Sequence, residues 1–248
     1  MIPLRRVPWL AESMVLAYGM PLRARRMRDL YAGFMQPGDV CFDIGAHVGG
    51  RVRIWKKLGA RVVAVEPLSD CARILRAVYG RDTSVAVVEG AVGASDGEGQ
   101  LLVSDRAPRA STLSREWSDT IVRAPGFSRL RWDAVQAVSI VTLDALIKQH
   151  GVPAFCKIDT EGYDLEVLNG LTMPIPALSF EFMPPVAGIA RGCIGRLSQL
   201  AGYAFNWSFG ETMVLALDSW VSAADMLTLL DHPPTRYRSG DVYARIGA

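Results

Sequence analysis

Asp43-Ile44-Gly45-Ala46-His47-Val48-Gly49 follows the apolar run 40–42 and precedes a helical pattern over residues 50–58. A strand, a glycine turn and a helix in this order predict a ligand site, because the free N–H groups of the helix point toward the turn. Gly45 permits the turn and lets a ligand approach the backbone closely. The spacing is G-x-x-x-G, and His47 replaces the second glycine of the G-x-G-x-x-G fingerprint. The motif therefore disfavours a pyrophosphate ligand.

Acidic residues around this turn indicate a ligand with a positive charge and a ribose. Asp43 suits a cation such as S-adenosylmethionine (AdoMet), which carries a sulfonium and an ammonium but no phosphate. Glu66 ends the second apolar run, about twenty residues after Gly45, where a carboxylate can accept both ribose hydroxyl protons. NAD needs the same acid, so Glu66 indicates a ribose without choosing between the two cofactors. Gly90-Ala91-Val92 offers a small shelf for an adenine ring.

Short apolar runs alternate with helical patterns from residue 40 onward, which predicts an α/β fold with a parallel sheet between helices. We expect strands at residues 40–44, 61–65, 84–89, 155–159, 178–182 and 241–246, and helices at 50–58, 69–79, 161–168, 189–201 and 223–230. Residues 203–208 and 212–217 predict a hairpin.

The alternation breaks between residues 93 and 153. Two further strands are expected at residues 100–103 and 135–141, with a polar insertion over about 104–134 that is too long for an ordinary connection. Two interpretations of this insertion stay open: a solvated loop packed by a few aromatics, or a lid that recognises an anionic or sugar-bearing substrate. Its charged and aromatic residues are Arg106, Arg109, Arg115, Arg123, Arg129 and Arg131, interleaved with Trp117, Phe127 and Trp132.

Composition excludes several classes of protein. The chain has 248 residues, of which 50% are hydrophobic, and a formal net charge of +2, so it is neither disordered nor basic enough to indicate a nucleic-acid binder on charge alone. The sequence contains no run of about 18 uncharged apolar residues, so no membrane span is predicted. The four cysteines show no C-x-x-C spacing, and we expect reduced, buried thiols in a cytoplasmic protein.

Residues 1–36 form an N-terminal segment ahead of the main domain, 37–248. An apolar stretch over residues 7–20, interrupted by Glu12, is followed by the arginine cluster Arg23, Arg25, Arg26 and Arg28. This pattern predicts one or two amphipathic helices packed on the main domain. The alternative is a basic helix that contacts a membrane surface.

Five motifs occur in order and together resemble the FkbM-type methyltransferase family. They are residues 43–49, Val65-Glu66-Pro67, Ala91-Val92-Gly93, Val141-Thr142-Leu143-Asp144 and Lys157-Ile158-Asp159-Thr160-Glu161-Gly162. The resemblance covers roughly residues 30–182, and more faintly Gly240-Asp241-Val242 near the end. It implies a class I Rossmann-like fold, with a mostly parallel seven-stranded sheet in the order 3-2-1-4-5-7-6, the last strand antiparallel, and an inserted hairpin and lid. His47 stands where the family usually has asparagine.

The resemblance also implies AdoMet as the cofactor. The residues expected to bind it are Asp43, Gly45, His47, Gly49, Glu66, Pro67, Gly90, Ala91, Val92 and Asp159.

A charged cluster is expected at the centre of the sheet, because residues that alternate along a strand share a face. Lys157 is costly in a central strand unless it is paired, and acids of the neighbouring strands, Asp43 and Glu181, are its expected partners. Asp159, Glu161 and Glu181 are the candidate catalytic residues, with Asp159 or Glu161 accepting the proton of a substrate hydroxyl. Alternatively, these three acids hold a divalent cation.

The leading hypothesis is an AdoMet-dependent O-methyltransferase that acts on a hydroxyl of a sugar, glycoside or other secondary metabolite. Its expected partner is a small-molecule acceptor, with no nucleic acid and no membrane span. The arginine-aromatic insertion suggests an RNA methyltransferase as an alternative. A dinucleotide-dependent oxidoreductase is disfavoured by the missing fingerprint and the lack of a Tyr-x-x-x-Lys motif, and a binding module without turnover is a further alternative.

Overall fold

A computed structural model describes residues 6–232 and 238–247 of the chain. Its centre is a seven-stranded sheet with the order β3-β2-β1-β7-β8-β10-β9. The strands are β1 (Val40–Ile44), β2 (Arg61–Glu66), β3 (Val85–Glu89), β7 (Phe155–Ile158), β8 (Ala177–Phe182), β9 (Tyr203–Phe209) and β10 (Gly240–Ile246). The first five of these in the order are parallel, and β10 runs antiparallel to both β8 and β9. Counted within this sheet alone, the order is 3-2-1-4-5-7-6, which confirms the class I expectation.

Nine helices occur in the described ranges and pack around this sheet. They are α1 (Val7–Tyr18), α2 (Pro21–Tyr31), α3 (Gly50–Lys57), α4 (Ser69–Tyr79), α5 (Arg115–Ile121), α6 (Leu143–His150), α7 (Asp164–Asn169), α8 (Ala187–Leu200) and α9 (Ala223–Leu230). The helix expected from residue 161 begins only at Asp164, because Glu161 and Gly162 adopt left-handed backbone conformations with φ of 52° and 87°.

The inserted hairpin forms a second, three-stranded sheet with the order β4-β6-β5, built from β4 (Ala91–Val92), β5 (Gly97–Val103) and β6 (Ala134–Val141). The polar insertion between β5 and β6 is more ordered than a solvated loop. It contains a 3₁₀ turn at Pro108–Ala110 and helix α5, whose N-cap residue Ser114 accepts a 3.0 Å hydrogen bond from the backbone N–H of Trp117. Trp117 and Ile121 are buried in a small apolar cluster of their own.

The two faces of the large sheet bury different residues because side chains alternate along each strand. One face presents Phe42, Ile158 and Phe180 to a core that includes α8. The other face presents Phe155 to aromatic residues of the α2 and α3 side, such as Tyr31, whose ring centroid lies 5.3 Å away. The four cysteines are buried free thiols, as their spacing predicts.

Helices α1 and α2 pack against the start of α3. Ala17 lies close to Gly50, and the hydroxyl of Tyr18 donates a 3.0 Å hydrogen bond to the carbonyl of Val48. Arg6 precedes α1, and its guanidinium donates to the carboxylates of Asp70 and Asp105. The N-terminal segment thus contacts both the turn between β1 and α3 and helix α4. No helix among residues 6–232 and 238–247 combines the length and apolarity that a bilayer crossing requires.

The predicted hairpin at residues 203–217 is wrong in its second strand. Residues 212–217 are irregular, and β9 pairs instead with the last strand, β10. The side chain of Asn206 takes the place of a ladder partner: its Nδ2 donates to the carbonyl of Leu217 at 2.9 Å, and its Oδ1 accepts from the Leu217 N–H at 3.2 Å. An apolar pattern alone does not reveal such a side-chain substitute for strand pairing.

Candidate functional site

A cavity of about 550 Å³ lies at the carboxyl ends of β1, β2, β7 and β8. Open α/β sheets bind ligands at this edge. Its other walls come from α1 and α2, from the 3₁₀ turn of the inserted lid, and from the loops that flank β9 and β10. Eight predicted cofactor residues line it: Gly45, His47, Glu66, Pro67, Gly90, Ala91, Val92 and Asp159. The three predicted catalytic acids, Asp159, Glu161 and Glu181, line it as well.

The turn after β1 requires glycine at position 45. Gly45 has a φ of 83°, and a Cβ atom there would overlap the carbonyl oxygen of Asp159 at the end of β7. The backbone N–H groups of Gly45 and Ala46 both donate to the carbonyl of Val65, at 2.9 and 3.0 Å. Gly49, with a φ of 85°, then leads into α3, although it does not line the cavity. Backbone contacts with β2 and β7 therefore fix the position of Gly45.

His47 contributes to the site through its backbone and as a neutral ring. It has a φ of 53°, and its N–H donates a 2.6 Å hydrogen bond to Oε2 of Glu66. Its ring lies 5.0 Å from the ring of Trp9 on α1, and its Nε2 is buried without a partner among the described residues. Burial lowers the pKa of His47 to about 4, so the imidazole is neutral near pH 7 and does not repel a cationic ligand.

Glu66 is a carboxylate fixed by the backbone. Its Oε2 accepts from the N–H of His47, and its Oε1 accepts from the N–H of Leu68 at 2.9 Å. Burial raises the pKa of Glu66 to about 7, and these two hydrogen bonds oppose that rise. Each oxygen keeps a lone pair for a further donor. The arrangement fits a ligand that offers two adjacent hydroxyls.

The shelf beside Glu66 is formed by Pro67 and residues 90–92, all on the cavity wall. The N–H of Gly90 donates to the carbonyl of Glu66 at 3.1 Å, and a Cβ on Gly90 would lie 2.8 Å from the hydroxyl of Ser139. Gln136 donates to the carbonyl of Pro67 at 2.6 Å. The shelf is thus braced by strand β6 of the small sheet.

Asp43 lies behind the cavity wall. It is fully buried, it does not line the cavity, and both of its carboxylate oxygens lack hydrogen-bond partners among the described residues. Burial raises its pKa to about 6, against the opposing charge of Arg51. Its carboxylate therefore lies behind the cavity wall, and its role in cofactor binding stays a prediction.

The three candidate catalytic acids converge at the other end of the cavity. One carboxylate oxygen of each of Asp159, Glu161 and Glu181 lies within 4.8 Å of the others. Burial and the charge of Asp159 raise the pKa of Glu161 to about 8, and burial and the charge of Glu161 raise the pKa of Glu181 well above its ordinary value. Burial also acts on Asp159, but the charges of Lys157 and Arg51 outweigh it and lower its pKa.

Glu161 is held in an uncommon conformation by the lid. Its φ is 52°, and its carbonyl accepts a 2.7 Å hydrogen bond from the hydroxyl of Thr112, a buried lid residue. The next residue, Gly162, lies so close to Trp117 of α5 that a Cβ there would overlap the indole. Left-handed residues other than glycine cluster at functional sites, where the surrounding structure maintains them.

The expected partners of Lys157 were wrong. Its ammonium, fully buried, donates to Asp241 of β10 at 2.8 Å and to the carbonyl of Ile158, rather than to Asp43 or Glu181. Lys157 lies opposite Ser179 of β8, the strand between β7 and β10, so the lysine side chain reaches across β8 to Asp241. Burial opposes the charge on Lys157, but the carboxylates of Asp159 and Asp241 raise its pKa above the ordinary value.

Three residues of this site were missed by the sequence analysis. Arg51, in the first turn of α3, lines the cavity and pairs with Asp159 at 3.0 Å. Asp241 pairs with Lys157, and Asp164 is buried close to the acidic cluster with its pKa raised by burial to about 6. Arg51 carried a usable signal, because a cation one turn into the helix after a glycine motif faces the same ligand as the motif.

A sequence comparison with the curated proteins gives no significant match. Among solved structures, the chain is similar to precorrin-6y C5,15-methyltransferase from Geobacter metallireducens GS-15, at 12% identity over 90% of this chain and 85% of that chain, with a TM-score of 0.43. It is similar to precorrin 8W decarboxylase from Methanobacterium thermoautotrophicum at 12% identity over 88% and 89% of the two chains, with a TM-score of 0.42. A dimethyladenosine transferase from Plasmodium falciparum shows 10% identity over 91% of this chain and 62% of that chain, with a TM-score of 0.41.

The sheet order, with a cavity at its carboxyl edge, is that of the class I methyltransferase fold. The family model described as the methyltransferase FkbM domain matches residues 43–214, and the chain belongs to that family. The match begins at Asp43 and extends through the lid and the acidic cluster into the loop after β9.

Proposed function

We propose that this protein is an AdoMet-dependent O-methyltransferase that methylates a hydroxyl group of a sugar, glycoside or other small secondary metabolite. The observation that carries the proposal is that one cavity of about 550 Å³ holds a carboxylate suited to ribose binding at one end and a carboxylate suited to proton transfer at the other. One end carries Glu66, held by backbone N–H groups, and the other carries Glu161, whose pKa burial and the charge of Asp159 raise to about 8.

The cofactor end fits AdoMet in shape and in charge. Glu66 would bind the ribose hydroxyls, with the adenine against the shelf at residues 90–92. Asp159, with Asp43 behind it, would face the ammonium and sulfonium charges. Arg51, on the cavity wall and paired with Asp159, would bind the carboxylate of the methionine moiety. The raised pKa values of Asp43 and Glu66 support this fit, because a cationic ligand would favour their ionised forms.

The acidic end suits proton transfer from an alcohol. When bound, AdoMet supplies an electrophilic methyl group. Glu161 would accept the proton that the acceptor hydroxyl loses as the methyl group passes from sulfur to oxygen and S-adenosylhomocysteine is left, and Glu181 would share hydrogen bonding with the same hydroxyl. Asp159 is ion-paired with Arg51, so it positions rather than deprotonates. A positioned base contributes about 10²–10⁴-fold, and alignment of the reactants about 7–11 kcal/mol.

The lid geometry favours a small acceptor over RNA. Trp117 is buried and packs edge to face on Trp132 at 5.9 Å, so these rings are not a platform for stacking bases. Trp132 also donates to the carbonyl of Ala110 at 2.9 Å. Of the lid arginines, Arg109 lines the cavity, where one cation suits an acceptor with a polar or anionic group.

Calorimetry and a methyl-transfer assay test the proposal together. S-adenosylhomocysteine and AdoMet should bind, whereas NADH should not. Methyl-tritiated AdoMet should then label members of a panel of sugars, glycosides and hydroxylated aromatics, with the new methyl group on oxygen by mass spectrometry. NADH binding without AdoMet binding would overturn the cofactor assignment. Labelling of RNA transcripts alone, or cofactor binding with no transfer across acceptors of every class, would overturn the acceptor assignment.

A further inference from the structure

The outer surface of α1 and α2 carries an unusual share of exposed apolar side chains. Of the eleven large apolar residues that are exposed in the described ranges, five lie between positions 7 and 22. Leu22 and Val15 are the most exposed of the eleven, at 76% and 65%. The five residues are Val7, Val15, Leu16, Met20 and Leu22. Larger exposed apolar patches of this kind mark interaction surfaces.

The apolar side chains on α1 form a stripe along one face. Val7, Ala11 and Val15 are four residues apart, so they lie one above another on the outer side of the helix, with Leu16 beside them. Glu12 is the one charged residue among the exposed positions of α1. The opposite face, which includes Leu10, packs on the main domain. No other part of residues 6–232 and 238–247 covers the outer stripe.

A basic groove lies next to this stripe. A cavity of about 300 Å³ between α2 and α3 is lined by Arg25, Arg28, Arg53 and Lys57, together with Tyr18, Pro21, Ala24 and Ile54. No acidic residue of the described chain lines this groove; Asp29, outside it, pairs with Arg28 at 3.0 Å and with Arg25 at 3.8 Å, whereas Arg53 and Lys57 have no acidic partner at this distance among the described residues. The Nε of Arg53 is buried and has no hydrogen-bond partner among the described residues. The groove therefore offers donors and positive charge to an anion.

We propose that the outer face of α1 and α2 docks on a membrane that contains anionic lipids. Val7 and Val15 of the stripe, together with Leu22 of α2, insert at the level of the acyl chains, and the basic groove binds a headgroup phosphate. Apolar side chains and arginines on adjacent helix surfaces, with few acids among them, are the composition of interfacial helices. Charge complementarity selects an anionic lipid surface over a neutral one.

Docking would also place the main cavity at the lipid surface. Leu16, Met20 and Arg23, on or beside the exposed face, line the cavity of about 550 Å³. The docking itself does not depend on the proposed methyl transfer, and vesicle binding tests it without any acceptor or cofactor.

Flotation of the full chain with vesicles tests the proposal. We expect the protein to float with vesicles of phosphatidylcholine and phosphatidylglycerol at low salt, and to stay in solution with vesicles of phosphatidylcholine alone. Added salt should weaken the binding, because exposed charges are screened. Absence of binding to the mixed vesicles, or equal binding to both vesicle types, would overturn the proposal.

Matched variants separate this face from the rest of the surface. Val15→Glu and Leu22→Glu should each abolish flotation, whereas Val78→Glu and Val135→Glu, at exposed valines elsewhere, should leave it unchanged. Arg25→Glu and Arg28→Glu should each weaken binding about fivefold or more, whereas Arg129→Glu on the lid should not. All seven positions are exposed, so thermal melting should match the parent protein.

A second copy of the chain is the competing occupant of this face. Light scattering without vesicles should show a monomer whose mass does not change in Val15→Glu. The contrary outcome is a concentration-dependent dimer that Val15→Glu dissociates, while all variants still float with the vesicles. That result would assign the face to self-association and overturn membrane docking.

Discussion

The two ends of the main cavity both carry carboxylates, buried in Glu66 and half-buried in Asp159, Glu161 and Glu181, but the protein holds them in different ways. At one end, backbone N–H groups of His47 and Leu68 donate to the two oxygens of Glu66. At the other end, Glu161 and Glu181 lie within 4.8 Å of each other and of Asp159. The first carboxylate is fixed by neutral donors, whereas the others are placed against one another.

This difference separates binding from proton transfer. A carboxylate fixed by two donors keeps its orientation and can hold a ligand diol without reorganising. Carboxylates that repel each other share protons and have raised pKa values, as a base that works near neutral pH requires. Glu161 has its pKa raised to about 8 by burial and by Asp159, so it ionises in the range where many enzymes work.

Glu161→Gln should lower kcat by about 10²–10⁴-fold while the affinity for S-adenosylhomocysteine changes by less than about threefold. The reason is that glutamine keeps the shape of the side chain but cannot accept the hydroxyl proton. Single-turnover methyl transfer to an acceptor from the panel measures the first quantity, and calorimetry the second.

Glu116→Gln, at an exposed position of the lid helix α5, is the matched control and should leave both quantities unchanged. If Glu161→Gln retained full kcat, Glu161 would not be the base. If kcat and cofactor affinity fell together, Glu161 would contribute to cofactor binding as well as to proton transfer, and the two ends of the cavity would not have separate roles.

Gly45→Ala should destabilise the protein and prevent cofactor binding. A positive φ costs of order 1–3 kcal/mol for a residue other than glycine, and the added Cβ would also overlap the carbonyl oxygen of Asp159. Gly126→Ala is the control, because Gly126 has a φ of 88° and no atom within 4 Å of the position of a Cβ. Chemical denaturation should show a larger loss in the free energy of unfolding for Gly45→Ala than for Gly126→Ala. Equal losses would mean that the close contact with β7 does not contribute to stability.

The fixed end of the cavity could be predicted from sequence because its determinants are local. Gly45 is required by the turn that directly follows a strand, and Glu66 is recognised by its place at the end of the next strand. Both signals lie within about twenty residues and depend on strand and helix geometry that apolar patterns reveal. The order of the large sheet followed from the resemblance, since apolar runs do not specify which strands are neighbours.

The charged end depended on contacts between distant strands. Lys157 pairs with Asp241, 84 positions away in the chain, and no pattern distinguishes this acid from Asp43 or Glu181. The left-handed conformation of Glu161 depends on Thr112, a lid residue whose contact arises only in the folded chain. The irregular segment 212–217 was missed for the same reason, because a side chain replaced a strand partner.

Glu66→Gln should weaken S-adenosylhomocysteine binding by about tenfold to a hundredfold. A glutamine can accept only one of the two backbone hydrogen bonds, and hydrogen bonds to a charged group contribute about 1.5–3 kcal/mol. Glu89→Gln is the matched control: Glu89 ends the next strand, in register with Glu66, but pairs with Arg76 and does not line the cavity. Calorimetry measures both, and similar losses in the two variants would remove Glu66 from the binding site.

The free energy of unfolding of the ligand-free protein should fall as pH rises from about 4.5 to about 8. Burial raises the pKa of Glu66 to about 7, and burial with Asp159 raises that of Glu161 to about 8, both from an ordinary value of 4.5. The folded protein thus keeps protons that the unfolded chain has released, and stability present below pH 4.5 is lost as pH approaches 8. We expect a loss of about 1 kcal/mol or more, a decrease in Tm of about 2–4 °C.

Glu161→Gln isolates the contribution of the charged end to this pH dependence. The variant should melt at a higher temperature than the parent at pH 8 and at a similar temperature at pH 5, because the carboxyl that resists ionisation has been removed. Parallel melting curves for parent and variant across this range would show that Glu161 titrates normally.

Removal of divalent cations should change the rate of methyl transfer by less than about twofold. The oxygens of Asp159, Glu161 and Glu181 are close enough to hold an ion, but Asp159 already pairs with Arg51 at 3.0 Å and lies 3.8 Å from the ammonium of Lys157. The positive charges of Arg51 and Lys157, both beside Asp159, repel a divalent cation at this site. Rates measured after treatment with EDTA, and again after adding magnesium, calcium or manganese, check this expectation. A rate that fell strongly with EDTA and returned with one of these ions would show that the three acids bind a metal ion rather than accept the proton. In that case, Arg51→Gln should tighten ion binding.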